Sequence, residues 1–302
     1  MLLSSTGSDN CALCPRECGV NRANGERGFC GETDKIRIAR SEPHYWEEPC
    51  ISGEKGSGAV FFSGCTLGCV YCQNREISRG GKGFEVSPKE LAERMLGLAK
   101  SGVHNLNLVT PTHHLTGIIK ALDIARAKGL SIPVVYNCGG YEKPETIARL
   151  MGYADVYLPD MKYISKRFAK KYSAAADYFD YASKAVAEMV RQTGPCVFDE
   201  NGIIQKGVIV RHLMLPGLLF ESKKIIDYLY STYGNDIYIS LMSQYTRMPG
   251  IGERFPELDR DLCRAHYEAL VDYCADLGIE NMYIQQPGAA DSRYIPEFYG
   301  GE

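Results

Sequence analysis

The sequence has no apolar run that approaches the ~20 residues a helix needs to cross a bilayer. Its first ten residues, MLLSSTGSDN, have neither the basic start nor the apolar stretch of a signal peptide. A membrane-spanning or exported protein is therefore not expected. We expect the protein to act in the cytoplasm, without a membrane partner.

An excess of basic charge is also missing. The chain has 34 Lys and Arg against 37 Asp and Glu, a formal net charge of -3, and its basic residues are dispersed along the sequence. Proteins that bind nucleic acids typically concentrate basic side chains in a patch or stripe. We therefore expect no nucleic-acid partner.

The periodicity of the chain from about residue 58 onward is typical of the α/β class. With 302 residues, 45% of them hydrophobic, the chain can bury a full-sized core. Short β-rich runs alternate with amphipathic helices, which favours βα units around a parallel sheet. Right-handed crossovers are expected to curl six such units into a partial (β/α)6 TIM-like barrel. Strands are predicted at 59–62, 105–109, 134–137, 155–158, 207–213, 237–242 and 282–285, and helices at 89–100, 115–128, 145–151, 182–192, 222–233 and 258–277.

The first 57 residues do not share this rhythm. They are rich in Cys, Gly, Arg and Glu, and only residues 35–39 resemble a strand. We predict two domains, a cysteine-rich metal-binding segment at 1–57 and the barrel at 58–302.

Cysteine is frequent, with twelve residues, and seven of them fall into two groups. In a reducing compartment cysteines stay as thiols, so clustered spacing indicates metal ligation before disulfides. The groups are Cys11, Cys14, Cys18 and Cys30, and then Cys65, Cys69 and Cys72. The scattered cysteines, Cys50, Cys138, Cys196, Cys263 and Cys274, are predicted to be small buried hydrophobes. Cys263 and Cys274 fit this prediction best, because they lie within one helical pattern.

The second cysteine group arrives on one loop directly after the first barrel strand. Three cysteines at C-x3-C-x2-C spacing leave one iron of a four-iron cluster open to an outside ligand. In barrels the chemistry takes place on loops at the carboxyl ends of strands, and Cys65, Cys69 and Cys72 occupy such a loop. The alternatives are a zinc site or three unrelated core cysteines. Structural zinc normally takes four protein ligands, and no further Cys or His follows closely.

This spacing, with Tyr71 as the aromatic residue just before the third cysteine, resembles the radical S-adenosylmethionine (radical SAM) superfamily. The resemblance covers about residues 58–285. The run GCTLGCVYCQN, together with the upstream CALCPREC, is similar to homologues of pyruvate formate-lyase activating enzyme that carry an N-terminal cysteine cluster. One departure is that the Gly-Gly-Glu turn of activating enzymes is replaced by VTPTHH at 109–114.

The resemblance implies a [4Fe-4S] cluster, S-adenosylmethionine and a reductant such as flavodoxin or ferredoxin. The reduced cluster would cleave S-adenosylmethionine to a 5'-deoxyadenosyl radical that abstracts hydrogen. Contacts to S-adenosylmethionine are implied at Tyr71, Thr110 or Thr112, Asn137, Asp160 and Gln244. His113 and His114, beside these threonines, are either part of this turn or solvated groups that cap a helix.

Lys162 and Arg211 are the candidate catalytic residues. Asp160 and Lys162 are two residues apart at a strand end, so both can face the barrel mouth. The guanidinium of Arg211 can form two parallel bonds to a substrate or cofactor carboxylate. The alternatives are an internal ion pair for Asp160 and Lys162, and a structural salt bridge for Arg211.

The N-terminal cysteines place four candidate ligands within twenty residues, which indicates a second metal site. Their spacing differs from the bacterial ferredoxin run, and sulfur ligation suits zinc as well as a second iron-sulfur cluster. Cys50 is an alternative ligand to one of the four.

Three functions are compatible with the sequence. The leading hypothesis is a radical SAM oxidoreductase that is activating-enzyme-like, either a glycyl-radical-enzyme activase or a peptide-modifying enzyme. The second is radical chemistry on a small anionic metabolite, which Lys162 and Arg211 would suit. The third is a non-catalytic iron-sulfur electron carrier.

Overall fold

The computed structural model describes residues 10–286 and Phe298. The described strands are β1 (Ile36–His44), β2 (Ser57–Phe62), β3 (Phe84–Val86), β4 (Leu106–Val109), β5 (Val134–Cys138), β6 (Val156–Pro159), β7 (Val197–Phe198), β8 (Ile204–Leu213), β9 (Tyr238–Met242) and β10 (Met282–Ile284). The described α-helices are α1 (Pro49–Ser52), α2 (Arg75–Ser78), α3 (Pro88–Lys100), α4 (Leu115–Ala127), α5 (Pro144–Ala148), α6 (Lys166–Ser173), α7 (Tyr178–Thr193), α8 (Leu219–Tyr233) and α9 (Arg264–Asp276).

The parallel part of the sheet follows the order of the chain. Strands β2, β4, β5, β6, β8, β9 and β10 lie side by side, and every neighbouring pair is parallel. Because this order never reverses, right-handed crossovers place the connecting helices on one face, and the sheet curls toward a barrel. Within residues 10–286 no pairing joins β10 to the other end of the sheet, so the barrel is open on one side. The predicted partial α/β barrel is confirmed.

Two antiparallel strands extend the open edge beside β2. β1 pairs with β2 and β3 pairs with β1. The strand predicted at 35–39 is therefore longer, Ile36–His44, and it belongs to the main sheet. The division into domains at residue 57 stays a prediction.

Successive residues of the barrel strands point alternately outward, to the helices, and inward. Tyr136, Tyr157 and Val210 face outward and belong to the largest core cluster, together with helix residues. The lower part of the interior is apolar, and helix α1 closes it from below, held by Asn105, whose side-chain amide donates to the Ile51 carbonyl at 2.8 Å. The buried interior cluster consists of Cys50, Ile51, Val135, Val156, Leu158, Ile204 and Ile209.

Several helices differ from the predictions: the short helices α1 and α2 were not predicted, and α7 begins at Tyr178, four residues earlier than expected. Helix α6 was not predicted, because its sequence, KRFAKKYS, has few apolar residues. Helix α9 begins at Arg264, not at residue 258, because Pro256–Leu258 forms a separate 3-10 turn. Cys263 precedes α9 with an extended backbone and is exposed, so the prediction that it is buried was wrong, whereas Cys274 is buried as predicted. Among the described helices, none has both the length and the apolar character needed to cross a membrane.

Candidate active site

The loop after β2 brings the three cysteines Cys65, Cys69 and Cys72 to one cavity of about 460 Å³ at the upper end of the barrel. The loop is held from outside by the last turn of α6. The Gly68 and Val70 N–H groups donate to the carbonyls of Ser173 and Tyr172 at 3.2 and 2.9 Å. These main-chain bonds fix the positions from which the thiols face the cavity.

Each of the three sulfur atoms has a polar neighbour at hydrogen-bond distance. The Leu67 N–H donates to Cys65 Sγ at 3.3 Å. Hydroxyl oxygens lie beside the other two sulfurs, Ser173 Oγ at 3.0 Å from Cys69 and Ser78 Oγ at 3.4 Å from Cys72. Donors placed around sulfur stabilise its thiolate, which is the form that binds iron.

The three thiols are also close enough to oppose one another's ionisation. Burial, together with the neighbouring Cys69 and Cys72, raises the pKa of Cys65 to about 12. Burial likewise raises the pKa of Cys72, with a contribution from Cys69. Three neighbouring half-buried thiolates need a positively charged group between them, so this donor set fits the cationic core of an iron-sulfur cluster.

The described side chains are not arranged to bind a single metal ion. Throughout residues 10–286 and Phe298, no set of three or more His, Cys, Asp or Glu side chains could hold one metal ion. The fit of the three cysteines to a larger group therefore rests on their common cavity and their chemistry.

Below the cysteines, charged side chains form a connected layer across the barrel. Arg211 donates through Nε to Asp160 Oδ1 at 3.0 Å and through Nη2 to Asn137 Oδ1 at 2.6 Å. Lys162 Nζ donates to Asp160 Oδ2 at 2.6 Å. Asp160 is therefore shared by two cations. Although burial acts to raise the pKa of its carboxyl, Lys162 and Arg211 together hold that pKa below the usual range. The structure thus brings the predicted residues Asn137, Asp160, Lys162 and Arg211 together.

Glu47 completes this layer and was missed by the sequence-based reasoning. Its Oε2 accepts from Arg211 Nη1 at 3.2 Å, and its Oε1 accepts from the side-chain amides of Asn107 and Asn137 at 3.1 and 3.2 Å. Glu47 precedes α1 and enters the barrel from below. No local motif marks it, because its partners lie 60 to 164 residues away.

Glu48 adds a further acid to the same cavity. Burial raises its pKa to about 6, although Arg211 acts in the opposite direction. Among the described residues that line the cavity, three carboxylates therefore accompany two basic side chains, Lys162 and Arg211. Both of these cations are already paired with protein carboxylates.

The loop after β4 separates the two predicted threonines. Thr110 lines the cavity, and its backbone has a φ of 59°, a left-handed conformation that is strained for a β-branched residue. Thr112 lies behind the cavity wall, where its hydroxyl donates to Glu142 Oε1 at 2.8 Å and accepts from Tyr136 at 3.1 Å. Of the two hydroxyls, only that of Thr110 therefore belongs to a cavity-lining residue.

The histidines that follow are not solvated helix caps, so that alternative is excluded. His113 and His114 are each 3% exposed. His113 Nε2 donates to the Ser63 carbonyl at 2.5 Å, and burial lowers the pKa of His113 to about 4. The residues form a 3-10 turn packed beneath the cysteine loop, which removes them from water.

Tyr71 and Gln244 both line the cavity, as the resemblance implies for contacts to S-adenosylmethionine. The hydroxyl of the buried Tyr71 lies 2.6 Å from that of Tyr163. Gln244 is fixed by Gln285, whose side-chain amide donates to Gln244 Oε1 at 2.9 Å, and by Gln73, which donates to the Gln244 carbonyl at 2.8 Å. Both side chains are thus positioned before any ligand binds.

The N-terminal cysteines form a neighbouring group. Burial raises the pKa of Cys14 to about 12, with contributions from Glu142, Cys30 and Cys11. Cys18 lies on the same segment, and its sulfur accepts from the Phe29 N–H at 3.2 Å. Cys50 instead packs in the apolar interior of the barrel, so it does not replace one of the four.

The two cysteine groups are in direct contact through the main chain. The Cys65 N–H donates to the Cys30 carbonyl at 3.3 Å. Arg16 Nε donates to the Thr66 carbonyl at 2.9 Å, and Arg79 donates to the carbonyls of Leu67 and Phe29, each at 2.6 Å. The N-terminal segment therefore helps to position the cysteine loop.

His212 points away from the cavity and gives the fold a pH dependence. Its Nδ1 donates to the Met161 carbonyl at 2.8 Å, and its Nε2 accepts from the Ser222 hydroxyl at 2.8 Å. Burial lowers the pKa of His212 to about 4. Since the unfolded chain takes up this proton near pH 6.5, the stabilisation is complete above pH 6.5 and is lost as the pH falls to about 4.

We expect the free energy of unfolding to decrease by ~3 kcal/mol through His212 between pH 6.5 and 4. His212→Gln should be less stable at pH 7 but show a flatter decrease, measured by anaerobic urea unfolding at both ends of this range. His266→Gln, at an exposed position, should keep the wild-type decrease. An equally steep decrease in His212→Gln would contradict the assignment to His212.

A partial α/β barrel with three half-buried cysteines facing one cavity on its first loop is an arrangement that fits an iron-sulfur barrel enzyme. The profile of the Radical SAM superfamily matches residues 59–229. The chain is also 30% identical over 288 residues to the uncharacterized protein MJ0674 of Methanocaldococcus jannaschii, covering 91% of this chain and 77% of the relative. This chain therefore belongs to the radical SAM superfamily.

Two solved structures are similar to this chain at low sequence identity. HydG, a maturase of the [FeFe]-hydrogenase, is 14% identical with a TM-score of 0.51, over 76% of this chain and 52% of HydG. Streptococcus suis SuiB bound to precursor peptide SuiA is 13% identical with a TM-score of 0.49, over 74% of this chain and 47% of SuiB. The chain spans about half the length of these two proteins, and the HydG match supports the barrel.

Proposed function

We propose that this chain is an activating-enzyme-like radical SAM oxidoreductase that abstracts hydrogen from a glycyl position of a protein or peptide. The observation that carries the proposal is the set of three half-buried cysteines, each with a polar neighbour at its sulfur, that faces one cavity with Asp160, Lys162 and Arg211.

Cys65, Cys69 and Cys72 would hold a [4Fe-4S] cluster. When bound, the cluster supplies the electron that splits the sulfonium of S-adenosylmethionine and yields the hydrogen-abstracting radical. The chain positions the reactants around it. Thr110 and Gln244 are proposed to contact S-adenosylmethionine, and the buried Tyr71 keeps water from the cysteine loop.

Lys162 and Arg211 are proposed as donors to a carboxylate at this site. Lys162 uses one of its three N–H donors on Asp160, so two are left. Arg211 makes hydrogen bonds through each of its three nitrogens, to Asp160, Glu47 and Asn137. Asp160, Asn137 and Glu47 therefore fix the orientation of Arg211. Lys162 has the larger fraction of its N–H donors free for a ligand.

The charges of the cavity favour a polypeptide over a small anionic metabolite. The N–H donors that Lys162 and Arg211 have left are assigned above to one carboxylate. Among the described lining residues carboxylates outnumber these two cations, so a second anion would find no further cation there. The sheet is also open on one side within residues 10–286, which suits the entry of a chain segment.

The test uses anaerobically reconstituted protein with dithionite and S-adenosylmethionine. We expect 5'-deoxyadenosine, and we expect it to acquire deuterium from random heptapeptides with a central dideuterated glycine. A protein that forms no 5'-deoxyadenosine would be an electron carrier. Deuterium transfer from labelled small carboxylic acids but not from the peptides would support the metabolite alternative. Mass spectrometry distinguishes these results.

We also propose that Cys11, Cys14, Cys18 and Cys30 hold a second metal group, an iron-sulfur cluster in preference to zinc, because no set of three or more ligand side chains within the described residues could hold a single ion. The mutual influence of Cys11, Cys14 and Cys30 on ionisation supports this proposal. Metal analysis of the purified protein, with Cys14→Ala as the variant, tests it. The proposed reductant is a low-potential carrier such as flavodoxin or ferredoxin.

Ser173 is expected to tune the reduction potential of the cluster. Its hydroxyl lies 3.0 Å from Cys69 Sγ and 3.0 Å from the Tyr163 hydroxyl. A hydrogen bond to sulfur stabilises the reduced, more negative cluster. Loss of a bond of about 1.4 kcal/mol in Ser173→Ala should lower the one-electron potential by about 60 mV.

Redox titration followed by electron paramagnetic resonance measures this shift. Ser183→Ala, on α7 and bonded only to the Phe179 carbonyl among the hydrogen bonds of the described residues, is the control. An unchanged potential in Ser173→Ala would show that the hydroxyl does not donate to the sulfur.

A further inference from the structure

Helix α6 presents a concentrated positive charge at the surface. Its eight residues include four exposed basic side chains and no acidic one. The whole chain has a net charge of -3, so this helix reverses the overall sign locally. We call these four side chains the α6 basic face; they are Lys166, Arg167, Lys170 and Lys171.

Nearby carboxylates neutralise only part of this face. Lys166 pairs with Asp180 at 2.9 Å, and Lys171 pairs with Glu257 at 2.5 Å. In the part of the chain that the structure describes, Arg167 and Lys170 have no carboxylate within ion-pair distance. Two full positive charges are therefore available to an acidic partner.

The other side of α6 touches the cysteine loop. The Tyr172 and Ser173 carbonyls accept the Val70 and Gly68 N–H groups, and Ser173 Oγ lies 3.0 Å from Cys69 Sγ. One buried side chain, Ser173, therefore separates the helix backbone from a cysteine of the proposed cluster. An electron that arrives at this helix has a short path to the site.

Two arginines extend the positive surface along the loop. The guanidinium groups of Arg16 and Arg79 lie over the Phe29 ring, at 3.8 and 4.3 Å from its centroid. Phe29 is 37% exposed. Arg16 also donates to the Ala174 carbonyl at 2.5 Å, directly after the end of α6. The surface over the cysteine loop therefore combines basic groups with one exposed aromatic ring.

We propose that the α6 basic face is the docking surface for an acidic one-electron carrier protein that reduces the cluster. This inference rests on the proposed function. The carrier loses one electron and the cluster gains it, and no bond forms or breaks. The rest of the chain is net negative, so an acidic carrier is repelled elsewhere and attracted at this face. The attraction favours the orientation in which the electron has the shortest path from the carrier to the cluster.

The test compares two electron sources on one enzyme. Arg167→Glu/Lys170→Glu changes the unpaired charges of the face. Reduced flavodoxin, an acidic carrier, should then show a KM at least tenfold higher for 5'-deoxyadenosine formation at low salt, with a weaker salt dependence. Dithionite is small and needs no docking surface, so its rate should stay within twofold of wild type, which also shows that the variant folds.

Lys89→Glu/Lys100→Glu is the matched control, with the same change of net charge at exposed positions of α3. It should keep the wild-type KM for flavodoxin. An equal loss in both variants would mean that overall charge decides, and an unchanged KM in the α6 variant would mean that the carrier docks elsewhere; either result overturns the proposal.

Two further outcomes can be distinguished from failure of the docking surface. Weaker binding of a single-stranded RNA oligonucleotide by the α6 variant, with flavodoxin unaffected, would reassign the face to nucleic acid and overturn the proposal. A wild-type enzyme that makes no 5'-deoxyadenosine with dithionite contradicts the proposed function itself. Calorimetric binding of flavodoxin to wild type, lost only in the α6 variant, would still support the docking surface in that case.

Discussion

Cys69→Ala is expected to reduce 5'-deoxyadenosine formation to background and to remove the four irons of one cluster. Cys69 is the cysteine whose sulfur contacts Ser173 and whose loop is tied to α6. Alanine is preferred to serine because a serine oxygen can still bind iron. Product formation is measured chromatographically, and iron is counted per chain after anaerobic reconstitution.

The control for this experiment is Cys263→Ala. Cys263 is exposed, lies before α9 and is distant in sequence from both cysteine groups. It should retain iron and activity. If Cys69→Ala keeps its iron and forms 5'-deoxyadenosine at the wild-type rate, Cys69 is not a cluster ligand.

Glu47→Ala is expected to destabilise the fold by about 3 kcal/mol or more. The change removes the carboxylate that accepts from Arg211, Asn107 and Asn137, and it leaves part of a buried guanidinium without a counter-charge. Breaking a buried ion pair from one side typically costs 3–5 kcal/mol. In a chain of this size the melting temperature should fall by roughly 5 °C or more.

Differential scanning calorimetry of the protein under anaerobic conditions measures the effect. Glu54→Ala removes an exposed carboxylate from the turn after α1 and should change stability by less than about 0.5 kcal/mol. A Glu47→Ala protein as stable as this control would show that Glu47 does not hold Arg211 in solution.

The predictions for Cys69 and Glu47 both depend on contacts of the N-terminal segment with the barrel, which its sequence does not indicate. Arg16 bonds to the cysteine loop, Cys30 accepts from Cys65, and Glu47 enters the barrel from below. The segment therefore contacts the candidate site from above and supports it from below. A metal group at the N-terminal cysteines would lie against the loop that holds the first cluster.

Features with a local cause could be predicted from the sequence. The spacing of Cys65, Cys69 and Cys72 fixes three thiols on one loop, whatever the rest of the chain does. The alternation of strands and helices predicts the parallel barrel, because right-handed crossovers leave few other arrangements. The helix predicted at 89–100 begins at Pro88, where Ser87 and Glu90 form a capping box through contacts three residues apart.

Features that depend on contacts between distant residues were decided only by the tertiary structure. The Glu47 carboxylate meets Arg211 across 164 residues, and Ser173 meets Cys69 across 104. The sequence presents Lys162 and Arg211 as two cations at strand ends, but it does not show that Asp160 and Glu47 neutralise them. By itself the sequence determined the cysteine loop and the barrel, since both follow from spacing and periodicity. Only the tertiary structure decided which charges meet in the cavity, because the partners of each buried charge lie on segments that are distant in sequence and are brought together by packing.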